Sequence, residues 1–146
     1  MRTKNEFRAI RERVGMTQAL LARKMGVSQR SVRYWEDPDS MRKPPEEAWQ
    51  ILDDALELQR MGLSNAVRIA DDPMFKDGNL SVRLPYWLNE SQYEEFSTDA
   101  AYGICGDWRM ANANNMALAL RLEERGLSVE WVGGNPARPE GLKLVE

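Results

Sequence analysis

The sequence predicts a mainly α protein of 146 residues in two parts: an N-terminal helical domain of the five-helix type over residues 1–70, and a small α+β module over residues 71–146. Three observations predict it. Thr17 to Glu36, TQALLARKMGVSQRSVRYWE, has the pattern of two short helices joined by a tight turn. Apolar residues recur at helical spacing up to Ala70 and alternate in twos only after a polar break at Asp71 to Gly78. Charge divides the same way. Residues 1–43 hold eleven basic and five acidic side chains, a balance of +6, which leaves −9 on residues 44–146 for the net −3.

Asn5 stands where it would cap a first helix, with Phe7, Ile10 and Val14 as the apolar stripe and Gly15 as the stop. Thr17 and Ser28 each precede a helix, where a hydroxyl satisfies an orphan amide. Counting from Gln18, small Ala22 falls where two helix backbones approach, and Gly26 falls where the turn needs a positive φ. Leu21, Met25, Val27, Val32 and Trp35 fill the inward positions. Asp37 to Lys43 is a polar loop. Pro44 and Pro45 open a fourth helix, with Glu46 and Glu47 in the first turn where the dipole favours acids. Its apolar residues Ala48, Trp49, Ile51, Leu52, Ala55, Leu56, Leu58 and Met61 cover more than one stripe. One face is expected to close the N-terminal core and another to meet the C-terminal half or a second subunit. Gly62 marks a kink or an end before Leu63 to Ala70 resumes the helix.

Beyond the break, Leu80 to Tyr86 reads as a strand with Leu80, Val82, Leu84 and Tyr86 on one side, and Asn89 to Phe96 as a short helix. Ala100 to Gly106 fits no single element. Asp107 to Glu124 is the strongest C-terminal helix, with Trp108, Ala113, Met116, Ala117 and Leu120 near one face and Gly126 as its stop. Leu127, Val129 and Trp131 alternate as a second strand, and the Gly- and Pro-rich tail from Gly133 is expected to be loose. Two strands alone are marginal in water, so helices must cover them, together with the same strands from another copy. The C-terminal half is therefore the expected surface of a homodimer.

Two helices joined as in Thr17 to Glu36 present the second one to the major groove of double-stranded DNA. The helix Ser28 to Glu36 then offers Gln29, Arg30 and Tyr34 to base edges. A glutamine reads adenine and an arginine reads guanine through paired hydrogen bonds. Ser31 and Arg33 are assigned to the flanks, towards phosphate. Gln18 opens its helix where side chain and amides meet a phosphate, and Arg42 and Lys43 lie in a loop within reach of the backbone. A basic head on an acidic body suits a protein that docks on phosphate with one end.

Other classes are disfavoured. No apolar run has the length of a membrane span or the form of a signal peptide, and Cys105 as the only cysteine leaves no internal disulfide, so a cytoplasmic location is expected and no membrane partner. The chain has no histidine, which removes histidine metal ligands, the usual general base and the serine triad. Cys105 without an imidazole partner reads as a small buried hydrophobe, and the glycines lack the spacing of a phosphate loop. No catalytic residue, metal or cofactor is expected.

Arg11, Thr17-Gln18, Ala22, Gly26-Val27-Ser28 and Val32 through Glu36 together resemble the helix-turn-helix domain of the phage-repressor, Cro-type family, over residues 5 to 61. The resemblance implies an ion pair between Arg11 and Glu36 that pins the recognition helix rather than reading sequence. The chain departs at Ala19-Leu20, where an acid pair is usual, and at Asp37-Pro38, where a glycine often follows. VRLPYWLNESQYEEF and GDWRMANANNMALALRLEERG, with Trp108-Arg109 opening the helix, resemble the C-terminal module of YdiL-like and phage anti-CRISPR-associated repressors. This second resemblance implies a dimeric autorepressor. Two alternatives remain open: a DNA-binding antitoxin whose C-terminal half masks a toxin protein, and a ligand-sensing repressor with Trp87, Trp108 and Trp131 around a pocket.

Overall fold

The computed structural model describes residues 1–73, 81–97, 106–135 and 138–140. The expectations for Leu80, for Ala100 to Cys105 and for the Gly78 end of the break lie outside the described residues. The chain forms two compact units, Met1–Arg60 and Met61–Glu146, which divide within one long helix. Among the described residues there are six helices and three strands.

The first unit holds α1 (Lys4–Arg13), α2 (Gln18–Met25), α3 (Gln29–Glu36) and the start of α4 (Glu46–Ala70). The cap of α1 is Thr3, not Asn5: its side chain accepts from the Glu6 amide at 3.1 Å, and Asn5 sits inside the helix. Thr3 followed three residues later by Glu6 has the sequence of a capping box, which a polar residue further along cannot displace. Thr17 and Ser28 cap α2 and α3 by accepting from Leu20 and Ser31, and Gly26 closes α2 at φ +67. No atom lies within 4 Å of a Cβ built on Gly26, so it is backbone conformation and not space that requires glycine there.

Phe7 is the centre of the first core. Its ring meets Trp35 of α3 at 6.4 Å and Trp49 of α4 at 5.0 Å, both edge-on. Val14, Met16, Leu20, Leu21, Val32, Ala48, Leu52 and Leu56 complete the buried set. Two inward assignments are corrected: Val27 is 37% exposed and Met25 half-buried, because both lie at the turn, where the packed helix faces diverge. α4 runs unbroken through Gly62, so no fifth helix starts there and the first 70 residues hold four helices. A single glycine costs a helix about 1 kcal/mol, too little to stop one with good helix formers on both sides. The second apolar stripe of α4 is visible as Leu58, Met61 and Ile69, all exposed.

In the second unit, β1 (Ser81–Pro85) pairs parallel with β2 (Ser128–Asn135), Val82 opposite Val129 and Leu84 opposite Trp131. The connection carries α5 (Glu90–Phe96), capped by Asn89, and α6 (Trp108–Glu124), capped by Asp107. Parallel neighbours require a crossover of this kind. β2 also pairs antiparallel with β3 (Arg138–Glu140), so the tail expected to be loose supplies a third strand. Leu84, Ala119, Leu122 and Ala70 form one cluster, and Trp87, Tyr93 and Ala111 another, with Phe96 and Trp108 packed on it.

The buried face of α6 is not the one its apolar residues suggested. Met110, Ala111, Asn112, Ala119 and Leu122 are buried, whereas Met116 is 45% and Leu120 59% exposed. Asn112 explains the rotation: its Nδ2 donates to the Trp87 carbonyl at 2.8 Å and its Oδ1 accepts from the Trp87 amide at 2.7 Å. One turn on, Asn115 donates to the Pro85 carbonyl at 2.8 Å. Both carboxamides satisfy backbone groups of the chain leaving β1, which would otherwise stand unpaired beside α6. Tyr86, placed on the same side of the strand as Leu84, is 40% exposed where Leu84 is buried, its ring edge-on to Trp131 at 5.6 Å.

Candidate nucleic-acid interface

The local sequence builds α3 as a short helix with opposed faces. Val32 and Trp35 are buried, Gln29, Arg30 and Arg33 are exposed, and Tyr34 is 37% exposed. At 100° per residue, Arg33 falls between Gln29 and Arg30 on the outer face. It belongs to the middle of that face and not to its flank. Ser31 is half-buried and turned aside, its hydroxyl 3.1 Å from that of Ser28.

Arg11 and Glu36 hold this helix from behind. Arg11 Nε donates to Glu36 Oε2 at 2.6 Å and Nη2 donates to Oε1 at 2.7 Å, with the Glu36 side chain only 3% exposed. Nη1 of the same guanidinium donates to the Met16 carbonyl, so one side chain fixes the end of α3 and the approach to α2. Gln18 is drawn towards the pair, its Nε2 3.4 Å from Glu36 Oε1. The helix N-terminus at Gln18 remains half-exposed, but the carboxamide points to the carboxylate.

Lys4 is a residue that sequence reasoning missed. Its Nζ donates to three backbone carbonyls, Tyr34 at 2.9 Å, Asp37 at 2.7 Å and Ser40 at 2.9 Å. A cation thus closes the C-terminal end of α3 and fixes the following loop at the same time. Arg42 folds back from that loop onto α3, its guanidinium 5.2 Å from the Tyr34 ring centroid and Nη2 3.4 Å from Ser31 Oγ. Lys43 is exposed beside it in sequence.

The cations of this unit fall into two groups. Those at the N-terminus are neutralised internally: Arg2 pairs in bidentate fashion with Asp53 at 2.7 Å and lies 4.0 Å over Trp49, and Arg8 pairs with Glu12 at 2.8 Å. These hydrogen bonds hold the Asp53 and Glu12 carboxyls below, and the two guanidiniums above, their ordinary values. Arg23, Lys24, Arg30, Arg33 and Lys43 make no ion pair among the described residues. Arg13 of α1 and Arg60 of α4 are likewise exposed without an ion pair among the described residues, but five of the unpaired cations lie on α2, α3 and the loop after it, where an anion would meet them together.

In the second unit the three tryptophans do not share a pocket. Trp87 and Trp108 belong to the Tyr93 cluster, whereas Trp131 meets Tyr86 edge-on and is 38% exposed. Among the described residues no three His, Cys, Asp or Glu side chains are grouped to hold a metal ion, and no helix is long and apolar enough to cross a membrane.

No curated protein matches the chain. Residues 7–57, which run from Phe7 through α3 into α4, match the family model described as helix-turn-helix, so the chain carries a helix-turn-helix domain, and this supports a DNA-binding transcription regulator.

Proposed function

We propose that the protein is a sequence-specific repressor, acting as a homodimer on an inverted repeat and controlling its own gene. The helix Ser28 to Glu36 lies in the major groove, and the two copies of it are spaced by about one turn of DNA, ~34 Å. Gln29, Arg30 and Tyr34 face base edges. Arg33 shares that face, and Ser31, Arg42, Lys43 and the Gln18 helix terminus meet phosphates. In this reading residues 1–70 are the DNA-binding domain, residues 71–146 are the dimerisation module, and the protein works in the cytoplasm without a cofactor. The observation that carries the proposal is the outer face of α3, where Gln29, Arg30 and Arg33 are exposed and take no part in fixing the helix. An antitoxin would use the same face on DNA and differ in having a toxin, not a second copy, on residues 71–146.

The test starts from footprinting on the DNA upstream of its own gene, followed by gel-shift titration on the protected site. Arg30→Ala should cost about 1–3 kcal/mol there and relax choice at one base position. Lys43→Ala should weaken all sequences alike and reduce the salt slope by about 1. Unchanged affinity for the protected site in Arg30→Ala would remove α3 from the groove.

A further inference from the structure

α6 turns to solvent a second apolar face, opposite the one that covers the sheet. Met116 and Leu120 are 45% and 59% exposed, and half-buried Ala113 and Ala117 continue the same face beside Leu120. At 100° per residue these four fall within an arc of about 100°. Ala111, Asn112, Ala119 and Leu122 take the other side. The same outward arc carries Arg109 at its start and Glu124 at its end, both exposed and neither in an ion pair among the described residues. Arg109 is held against the helix by Trp108, its guanidinium 4.3 Å from the ring centroid.

We propose that this face packs on the same face of a second copy, the two α6 helices running antiparallel about a two-fold axis between Met116 and Ala117. The order of side chains singles out that occupant. About this axis Met116 meets the partner's Ala117, Ala113 meets the partner's Leu120, and Arg109 meets the partner's Glu124. Every large side chain faces a small one, and each cation faces an anion. A two-fold contact must be complementary to itself in this way, which an arbitrary protein surface need not be. The charges lie ~22 Å apart along the helix, so a parallel pair would set arginine on arginine and glutamate on glutamate. Burying Met116 and Leu120 would also remove the two largest apolar exposures of α6.

The proposal rests on the homodimer reading above and is tested on the full chain by sedimentation equilibrium, with circular dichroism and a melting curve for each variant. Met116→Glu with Leu120→Glu, both at exposed positions, should keep the fold and raise the dimer dissociation constant by about 100-fold or more. Arg109→Glu alone and Glu124→Arg alone should each raise it by roughly three- to tenfold, and the double variant should return to the wild-type value. A wild-type chain that is monomeric at micromolar concentration overturns the homodimer reading and this surface together. A dimeric wild type whose dissociation constant ignores both the glutamate variant and the charge swap overturns this surface alone and leaves the homodimer reading standing.

Discussion

The two halves of the chain solve the same packing problem to different degrees. Among the described residues, the six largest fully buried side chains, Phe7, Met16, Leu21, Leu52, Val14 and Val32, all lie in residues 1–60. Among the described residues, 61–146 contain most of the large exposed ones, Met61, Ile69, Tyr86, Leu88, Met116, Leu120 and Trp131. Their polar fastenings differ too. The first half leans on charge, Arg11 on Glu36 and Lys4 on three carbonyls, with the Gln59 carboxamide on the Arg13 carbonyl beside them. The second leans on the carboxamides of Asn112 and Asn115, with a more exposed Arg125–Asp71 pair. A region that closes its own core can hold a helix outward as a tool. One that leaves several large apolar side chains in water exposes the kind of face that the proposed dimer would cover.

The contrast in fastenings is most strongly tested at Arg11. Arg11→Ala should destabilise the first unit by about 3–5 kcal/mol, because it strands the Glu36 carboxylate in a site that is nearly closed to water. Urea unfolding monitored by tryptophan fluorescence measures it, and a loss below 1 kcal/mol would mean that the pair is not what anchors α3. Asn112→Ala comes next, at about 2–4 kcal/mol, since it leaves the Trp87 amide and carbonyl without their bonds. The same titration reads it; an unmoved midpoint would break the claim that carboxamides hold the second half.

The smallest effect concerns Arg2 and Asp53. The hydrogen bond from Arg2 places the Asp53 carboxyl below its ordinary 3.8, so the pair's contribution is complete above that value and disappears as acid takes the pH through the depressed one. Both side chains are about two-fifths exposed, at 41% and 40%, so solvent limits the contribution to roughly 0.2–1 kcal/mol. Asp53→Asn should lower the melting temperature slightly at neutral pH, and the difference from wild type should vanish in acid. A difference that persists in acid would assign the stabilisation to something other than charge.

The parts of the fold legible in the sequence are those whose cause is local. Thr17 and Ser28 cap helices through amides three positions away, as do Asn89 and Asp107 at the starts read for their helices, and Gly26 declares its turn by itself. Apart from the Thr3 cap, which is local and was passed over for Asn5, the polar contacts that escaped depend on acceptors that no side-chain pattern displays. Lys4 bonds to carbonyls 30 to 36 positions away, and Asn112 to the backbone of Trp87 across 25 positions. That pair of bonds also turned α6 away from the face its apolar residues suggested. Apolar counting put Met116 and Leu120 inside, but a carboxamide with both of its bonds made is as much at home in a core as a methyl group. The Arg11 and Glu36 pair, 25 residues apart, could be approached only through resemblance to a family. Arg33 was misplaced on its helix by adjacency in sequence, which says little about direction at 100° per step.

The way α3 is attached has one further consequence. Its moorings are Val32, Trp35, Glu36 and the carbonyl of Tyr34, and not one of them is an outward side chain. Gln29, Arg30 and Arg33 can thus be exchanged for other residues with almost no toll on folding. The protein has in effect a replaceable face on a permanent mount, and a new preference could arise in a single mutational step without first making the chain more robust.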